Sequence, residues 1–190
     1  LTLVMGLLAL RLRANGAKFF GLMMVCIDIW CFGIVGQMRS TNEFESLRWI
    51  FVQMFGVILT APFWYLFTLS FTESKTDFRW WHFLLLFINP VVVSVLLLSP
   101  SLRHFIVEEL VYLRYESFMV NADWVLGPYF FVHLAINFVL VIFGEVIILR
   151  HALQWPKKSR LKMILVVIAA LFPMATNLAL VFNLFPVIHG

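Results

Sequence analysis

The sequence is short of the residue types on which soluble enzymes depend. Only 13% of its 190 residues are charged, against about 25% in ordinary soluble domains. Its two cysteines, Cys26 and Cys31, fall in one apolar run, so we expect packing residues rather than a disulfide or a metal pair. No glycine-rich phosphate loop, nucleophile elbow, HExxH or CxxC motif is present. The sequence therefore indicates no catalytic residue, no cofactor and no metal site.

What the chain has in abundance is apolar surface. Hydrophobic residues make up 63% of it, with 21 Phe and 7 Trp, and the mean hydropathy is +0.97. Soluble folds do not bury so much apolar surface, and this composition indicates an all-α polytopic membrane protein. The net charge is +4, but the basic residues lie in loops between apolar runs. We therefore expect membrane lipids, and not nucleic acid, as the partner of these charges.

The stretch 127–162 orients the whole chain. Pro128 suits the first position of a helix, where its missing N–H would have no partner. The apolar run 129–149 supplies about 20 residues, the length that crosses a hydrocarbon core. Basic loops stay on the cytoplasmic side, and the run ends in such a loop, which contains Arg150, Lys157, Lys158, Arg160 and Lys162. The segment thus predicts a membrane span that runs from outside to inside.

The other apolar runs complete a single transmembrane domain over residues 1–190. They predict helices at 18–38, 47–72, 80–98 and about 161–182, and residues 1–10 are long enough for only half a span. With the N-terminus outside, ten Lys and Arg residues lie inside and four outside. Three prolines near the middle of spans are expected to kink their helices, namely Pro62, Pro90 and Pro173.

The loop 99–126 is longer than a connector and rich in Val, Phe, Tyr and Leu. Two short strands that turn near 114–117 fit its pattern, and an amphipathic helix over 102–113 fits it nearly as well. Either structure predicts an ordered extracellular cap over the outer end of the bundle.

Polar side chains inside spans are the candidate ligand-binding residues, because burying them in a membrane is costly. They are Asp28, Gln53, Asn89, His133, Asn137 and Asn177. They lie at or above the middle of the membrane, which predicts a pocket in the outer half for a small, largely apolar ligand. The alternative is that they form only interhelical hydrogen bonds, worth about 0.6 to 2 kcal/mol each. His104 and Glu108 would face each other on a helix, but no further metal ligand accompanies them.

Four stretches carry a resemblance to a known family. They are APFWYLFTLSFTE (61–73), FINPVVVSVLLLSPSLRHF (87–105), GPYFFVHLAINFVLVIFGE (127–145) and ALFPMATNLALVF (170–182). The chain resembles the N-terminal seven-transmembrane region of bacterial histidine kinases, a sensor module also found before diguanylate cyclase domains. The resemblance implies a seven-helix-type bundle, here with about six spans, a truncated first helix and no seventh. It supplies no ligand-binding residues, and the chain contains no phosphoacceptor or ATP-binding sequence.

These inferences predict a sensor domain in a bacterial inner membrane. It would detect an extracellular or membrane-borne ligand and pass the signal to a cytoplasmic output domain, a histidine kinase or a diguanylate cyclase. The chain itself is not expected to be an enzyme, and we expect a homodimer that forms through the output domain. A small transporter or channel subunit is the second hypothesis, and a structural subunit of a larger complex is the third.

Overall fold

A computed structural model describes residues 2–73, 80–115, 118–154 and 156–181. Six α-helices and one β-hairpin follow each other along the chain. The helices are α1 (Thr2–Arg11), α2 (Ala17–Met38), α3 (Glu43–Phe71), α4 (Trp80–Leu98), α5 (Pro128–Leu153) and α6 (Lys157–Val181). A short 3-10 helix (Arg103–Phe105) precedes the strands β1 (Val107–Tyr115) and β2 (Phe118–Leu126).

The helices confirm the predicted α-helical membrane fold. Within the described residues, α2, α3, α4 and α5 are long and apolar enough to cross a membrane. Helix α1 is short, as its sequence predicts, and α6 is apolar over Met163–Phe172. Residues 74–79 of the predicted polar loop, Trp155, and the predicted exit of the chain at 183–190 lie outside the described residues.

Local sequence signals explain where the helices begin. Asn42 precedes α3 and accepts a hydrogen bond from the Glu45 backbone N–H at 2.9 Å, while the Glu45 carboxylate accepts one from the Thr41 N–H at 3.1 Å. This reciprocal arrangement satisfies N–H groups that have no partner within the helix. Helix α5 begins at Pro128, as predicted. The turn before α2 contains Gly16 with φ of 79°, a conformation that favours glycine.

Helices α2 and α3 pack closely because glycines lie between them. A Cβ atom on Gly33 would come within 2.5 Å of the Gln53 backbone nitrogen, and one on Gly56 within 2.4 Å of the Cys26 carbonyl oxygen. Small residues allow this approach of backbones, which replaces the missing hydrophobic driving force between helices in lipid. The α2–α3 pair is thus the tightest helix contact of the bundle.

Helix α4 shows which surface meets the membrane. Leu86, Asn89, Val93 and Leu97 are buried against the bundle at helical spacing. The opposite face exposes large apolar side chains, including Leu84, Ile88, Val91 and Val95. Such a face is unfavourable in water and favourable in hydrocarbon, so it is the lipid-facing surface.

The cap is an antiparallel hairpin, which decides between the two structures that the sequence left open. Val107 lies opposite Leu126, and Tyr115 lies opposite Phe118. Its base is held in the bundle, because Ile106 and Val107 are buried in a cluster with Ile50 and Val93. The base is closed where the Gly127 N–H donates to the Ile106 carbonyl at 3.0 Å. Since 104–108 is not one α-helix, His104 and Glu108 do not form the spacing that a metal pair would need.

Candidate functional site

A cavity of about 610 Å³ lies between α2, α3, α5 and α6. Phenylalanine, methionine and other apolar side chains form most of its wall, and Gln53, His133 and Asn137 are polar residues in it. Volumes of about 300–1,000 Å³ with apolar walls and a few polar groups are typical of small-molecule sites. Three of the candidate residues from the sequence therefore line one cavity.

His133 joins two helices through its ring. It is 2% exposed, and its Nδ1 lies 3.0 Å from the amide nitrogen of Asn89 on α4. Its Nε2 lies 2.9 Å from the amide nitrogen of Asn137, one turn further along α5. The Tyr129 hydroxyl, half-buried near the start of α5, donates to the Asn89 carbonyl oxygen at 3.4 Å. Asn89 thus supports the cavity from behind the His133 ring.

The chemistry of imidazole determines how this network faces the cavity. A neutral histidine carries one N–H and one acceptor nitrogen. One amide must therefore donate to the His133 ring while the other accepts from it. Since Asn89 already accepts from Tyr129, its N–H is the group that donates to Nδ1, and Nε2–H donates to Asn137. The second polar group of the Asn137 amide has no partner among the described residues and remains available to a ligand.

Gln53 occupies the cavity wall opposite this network, on α3. Gly33 of α2 packs directly on its backbone, which fixes the rotation of α3 against α2. The Gln53 carbonyl oxygen is buried, and no described residue donates a hydrogen bond to it. The α2–α3 packing therefore holds a second unsatisfied polar group at the cavity.

Asp28 and Asn177 do not join this group in the described structure. The Asp28 carboxylate accepts a hydrogen bond from the Thr2 hydroxyl of α1, and Asp28 is not part of the cavity wall. Its role in ligand binding stays a prediction that the cavity does not support. Asn177 lies on α6, but its side chain is outside the described part of the structure.

Two polar residues at the cavity were missed in the sequence. Trp64 lines the cavity towards its other end, and its indole N–H has no partner among the described residues. Glu145 is 4% exposed, and both of its carboxylate oxygens are likewise without a described partner. Glu145 was noticed only as the exception to the outer-half pattern, and Trp64 resembled other apolar residues. A charge inside a span is the signal that should have placed Glu145 among the candidates.

The cavity also extends further than the predicted outer-half pocket. Gln53 and His133 mark its end nearer to the hairpin, while Phe20 and Trp64 line it close to the opposite end of the bundle. The apolar walls continue between these levels.

Comparison with known proteins gives one match. A family model described as the N-terminal 7TM region of histidine kinase matches residues 1–190. No curated protein and no solved structure matches the chain.

Proposed function

We propose a function from the premise that the chain belongs to the family of N-terminal 7TM regions of histidine kinases. The chain is thus a multi-pass membrane sensor region and not a catalytic domain. Beyond this, we propose that it detects a small, largely apolar ligand in the cavity between α2, α3, α5 and α6. The hairpin end would face the exterior of a bacterial inner membrane, and the output domain would be a cytoplasmic histidine kinase.

The observation that carries the proposal is the combination of an apolar cavity with unsatisfied polar groups. The cavity measures about 610 Å³, and the Gln53 oxygen and one group of the Asn137 amide find no described partner. Buried polar groups are normally paired. A ligand with an apolar body and a polar group would satisfy them and fill the space.

The mechanism follows from the helices that form the walls. A ligand shifts the population of conformations only if it binds one of them better. The cavity touches α2 and α3 on one side and α5 and α6 on the other, so occupancy favours a particular separation of these pairs. Helix α6 is the last helix of the described chain, and its movement would carry the signal towards the output domain.

Fluorine NMR on the chain in lipid nanodiscs tests this proposal. Biosynthetic fluorotryptophan would label Trp64 in the cavity and Trp80, which is 73% exposed on the lipid-facing surface. Decanol is the probe, and Trp64→Phe assigns the cavity signal. We expect decanol to shift the Trp64 signal saturably, whereas Trp80 should respond only in proportion to partitioning into lipid.

A matched pair of substitutions locates the binding. Ala170 lines the cavity, while Ala135 of α5 is exposed to lipid. Ala170→Phe should weaken decanol binding at least tenfold, since overfilling costs about 1–3 kcal/mol and 1.4 kcal/mol is a factor of ten. Ala135→Phe should leave binding unchanged. Absence of saturation at Trp64, or equal weakening by both substitutions, would contradict a ligand in this cavity.

A further inference from the structure

We propose that Trp64 and Glu145 form a second polar subsite at the end of the cavity far from the hairpin, and that this subsite binds a hydroxyl group of the ligand. The inference rests on the proposed ligand-binding function and adds the chemical class of the ligand. The ligand would be an elongated apolar molecule with a hydroxyl at the end that points away from the hairpin.

Trp64 supplies the donor of the subsite. Its side chain is 6% exposed and lines the cavity. The indole N–H is a donor only, and no described residue accepts a hydrogen bond from it. A buried N–H without a partner costs free energy, so a ligand acceptor at this position would be bound favourably.

Glu145 supplies the acceptor. Its carboxylate oxygens are buried and without a partner in the part of the chain that the structure describes. It lies one turn beyond Val141 and two turns beyond Phe138 on the same face of α5, and both of those residues line the cavity. The preceding residue, Gly144, lies against the Trp64 indole, where an added Cβ would come within 2.8 Å of Nε1. The two unsatisfied groups therefore flank the same contact between α3 and α5.

The spacing along the helices separates this subsite from the first one. Gln53 and Trp64 are eleven residues apart on α3, and His133 and Gly144 are eleven residues apart on α5. At 1.5 Å per residue, both intervals correspond to about 16 Å along a helix. The polar groups thus form two levels with an apolar wall between them, which suits an elongated molecule.

The hydroxyl follows from what the two side chains offer. The indole N–H needs an acceptor, and the carboxyl oxygens can accept a hydrogen bond. A hydroxyl is both donor and acceptor, whereas an ether oxygen only accepts and an alkyl chain does neither. A water molecule has the same capacity as a hydroxyl, so bridging by water is the competing explanation.

The test compares two isomers of equal size in the full chain in nanodiscs. Decanol carries the hydroxyl, and methyl nonyl ether has the same atoms but no donor. We expect decanol to bind about tenfold more tightly by the saturation of the fluorotryptophan signal of Trp64, because the ether leaves Glu145 unsatisfied. Equal affinities would contradict the subsite while leaving the cavity as a ligand site, and this is the result expected if water bridges the pair.

Variants of Glu145 then identify the residue that discriminates. Glu145→Met keeps the size of the side chain and should abolish the preference for decanol, whereas Glu145→Gln keeps an acceptor and should retain it. Val146→Met, on the exposed neighbour of Glu145, is the control and should retain the preference. A preference that survives Glu145→Met would show that the hydroxyl binds elsewhere.

Thermal unfolding of the same variants guards against a misfolded protein. Because the carboxylate has no described partner, Glu145→Met should unfold at the same temperature as the unmodified chain or higher. If it unfolds at a clearly lower temperature, Glu145 is a structural residue and the subsite is wrong. If neither isomer binds saturably, both the subsite and the proposed ligand cavity are wrong.

Discussion

Replacing His133 with leucine should cost more stability than the replacement of the whole polar pair that contains it. The ring is 2% exposed and lies 3.0 Å from the amide of Asn89 and 2.9 Å from that of Asn137. His133→Leu removes both hydrogen bonds and leaves the Asn89 amide N–H buried, since Asn89 is 4% exposed. Asn137 borders the cavity, where other partners can reach it.

The magnitude follows from these environments. Hydrogen bonds between membrane helices average about 0.6 kcal/mol and reach about 1.7 kcal/mol, and an unsatisfied buried group adds about 1–3 kcal/mol. We therefore expect His133→Leu to lower the free energy of unfolding by about 2 kcal/mol. The double variant Asn89→Leu/His133→Leu buries no unpaired amide and should recover about 1 kcal/mol of this loss.

A double-mutant cycle measures the effect. The free energy of unfolding of the four proteins would be determined in micelles from tryptophan fluorescence, and the coupling energy isolates the Asn89–His133 contact. Val91→Leu, on the lipid-facing side of α4, controls for general effects of substitution. Additive effects of the two replacements, or a loss below about 0.5 kcal/mol for His133→Leu, would refute the reasoning.

Two other predictions concern packing and topology. Gly56→Ala should destabilise the chain by about 1–3 kcal/mol, because its Cβ would meet the Cys26 carbonyl at 2.4 Å; Phe55→Leu, at an exposed position, should have little effect in the same unfolding assay. In a background without the two native cysteines, a cysteine at Ser159 should resist an impermeant thiol reagent on intact cells and one at Asn121 should react. The opposite labelling would overturn the predicted orientation, which rests on the distribution of Lys and Arg.

The two-level cavity changes the expected reach of a ligand. The polar residues of the sequence pointed to the outer half of the bundle, yet the cavity continues to Trp64 and Phe20. A ligand that spans this distance contacts α3 and α5 at both levels. Its effect on the helices would then depend on the length of its apolar body as well as on its polar groups.

Sequence alone determined the secondary structure of this protein closely. The predicted spans 18–38, 80–98 and 128–149 correspond to Ala17–Met38, Trp80–Leu98 and Pro128–Leu153. These bounds depend on local features: the length of apolar runs that a bilayer requires, Pro128 at a helix start, and the polar residues between spans. The family resemblance depended on the same stretches and is confirmed over residues 1–190.

Tertiary structure alone decided which polar residues meet. Alternation along 107–126 was compatible with strands or a helix, and burial of Ile106 and Val107 against the bundle goes with the hairpin. The depth of a residue follows from its position in a span, so Asp28 and Asn89 looked equivalent. Their helices face different neighbours, and Asp28 meets Thr2 while Asn89 meets His133. The rotation of each helix about its axis depends on close contacts between distant segments, such as Gly33 on Gln53, and a single helix carries no information about its partner.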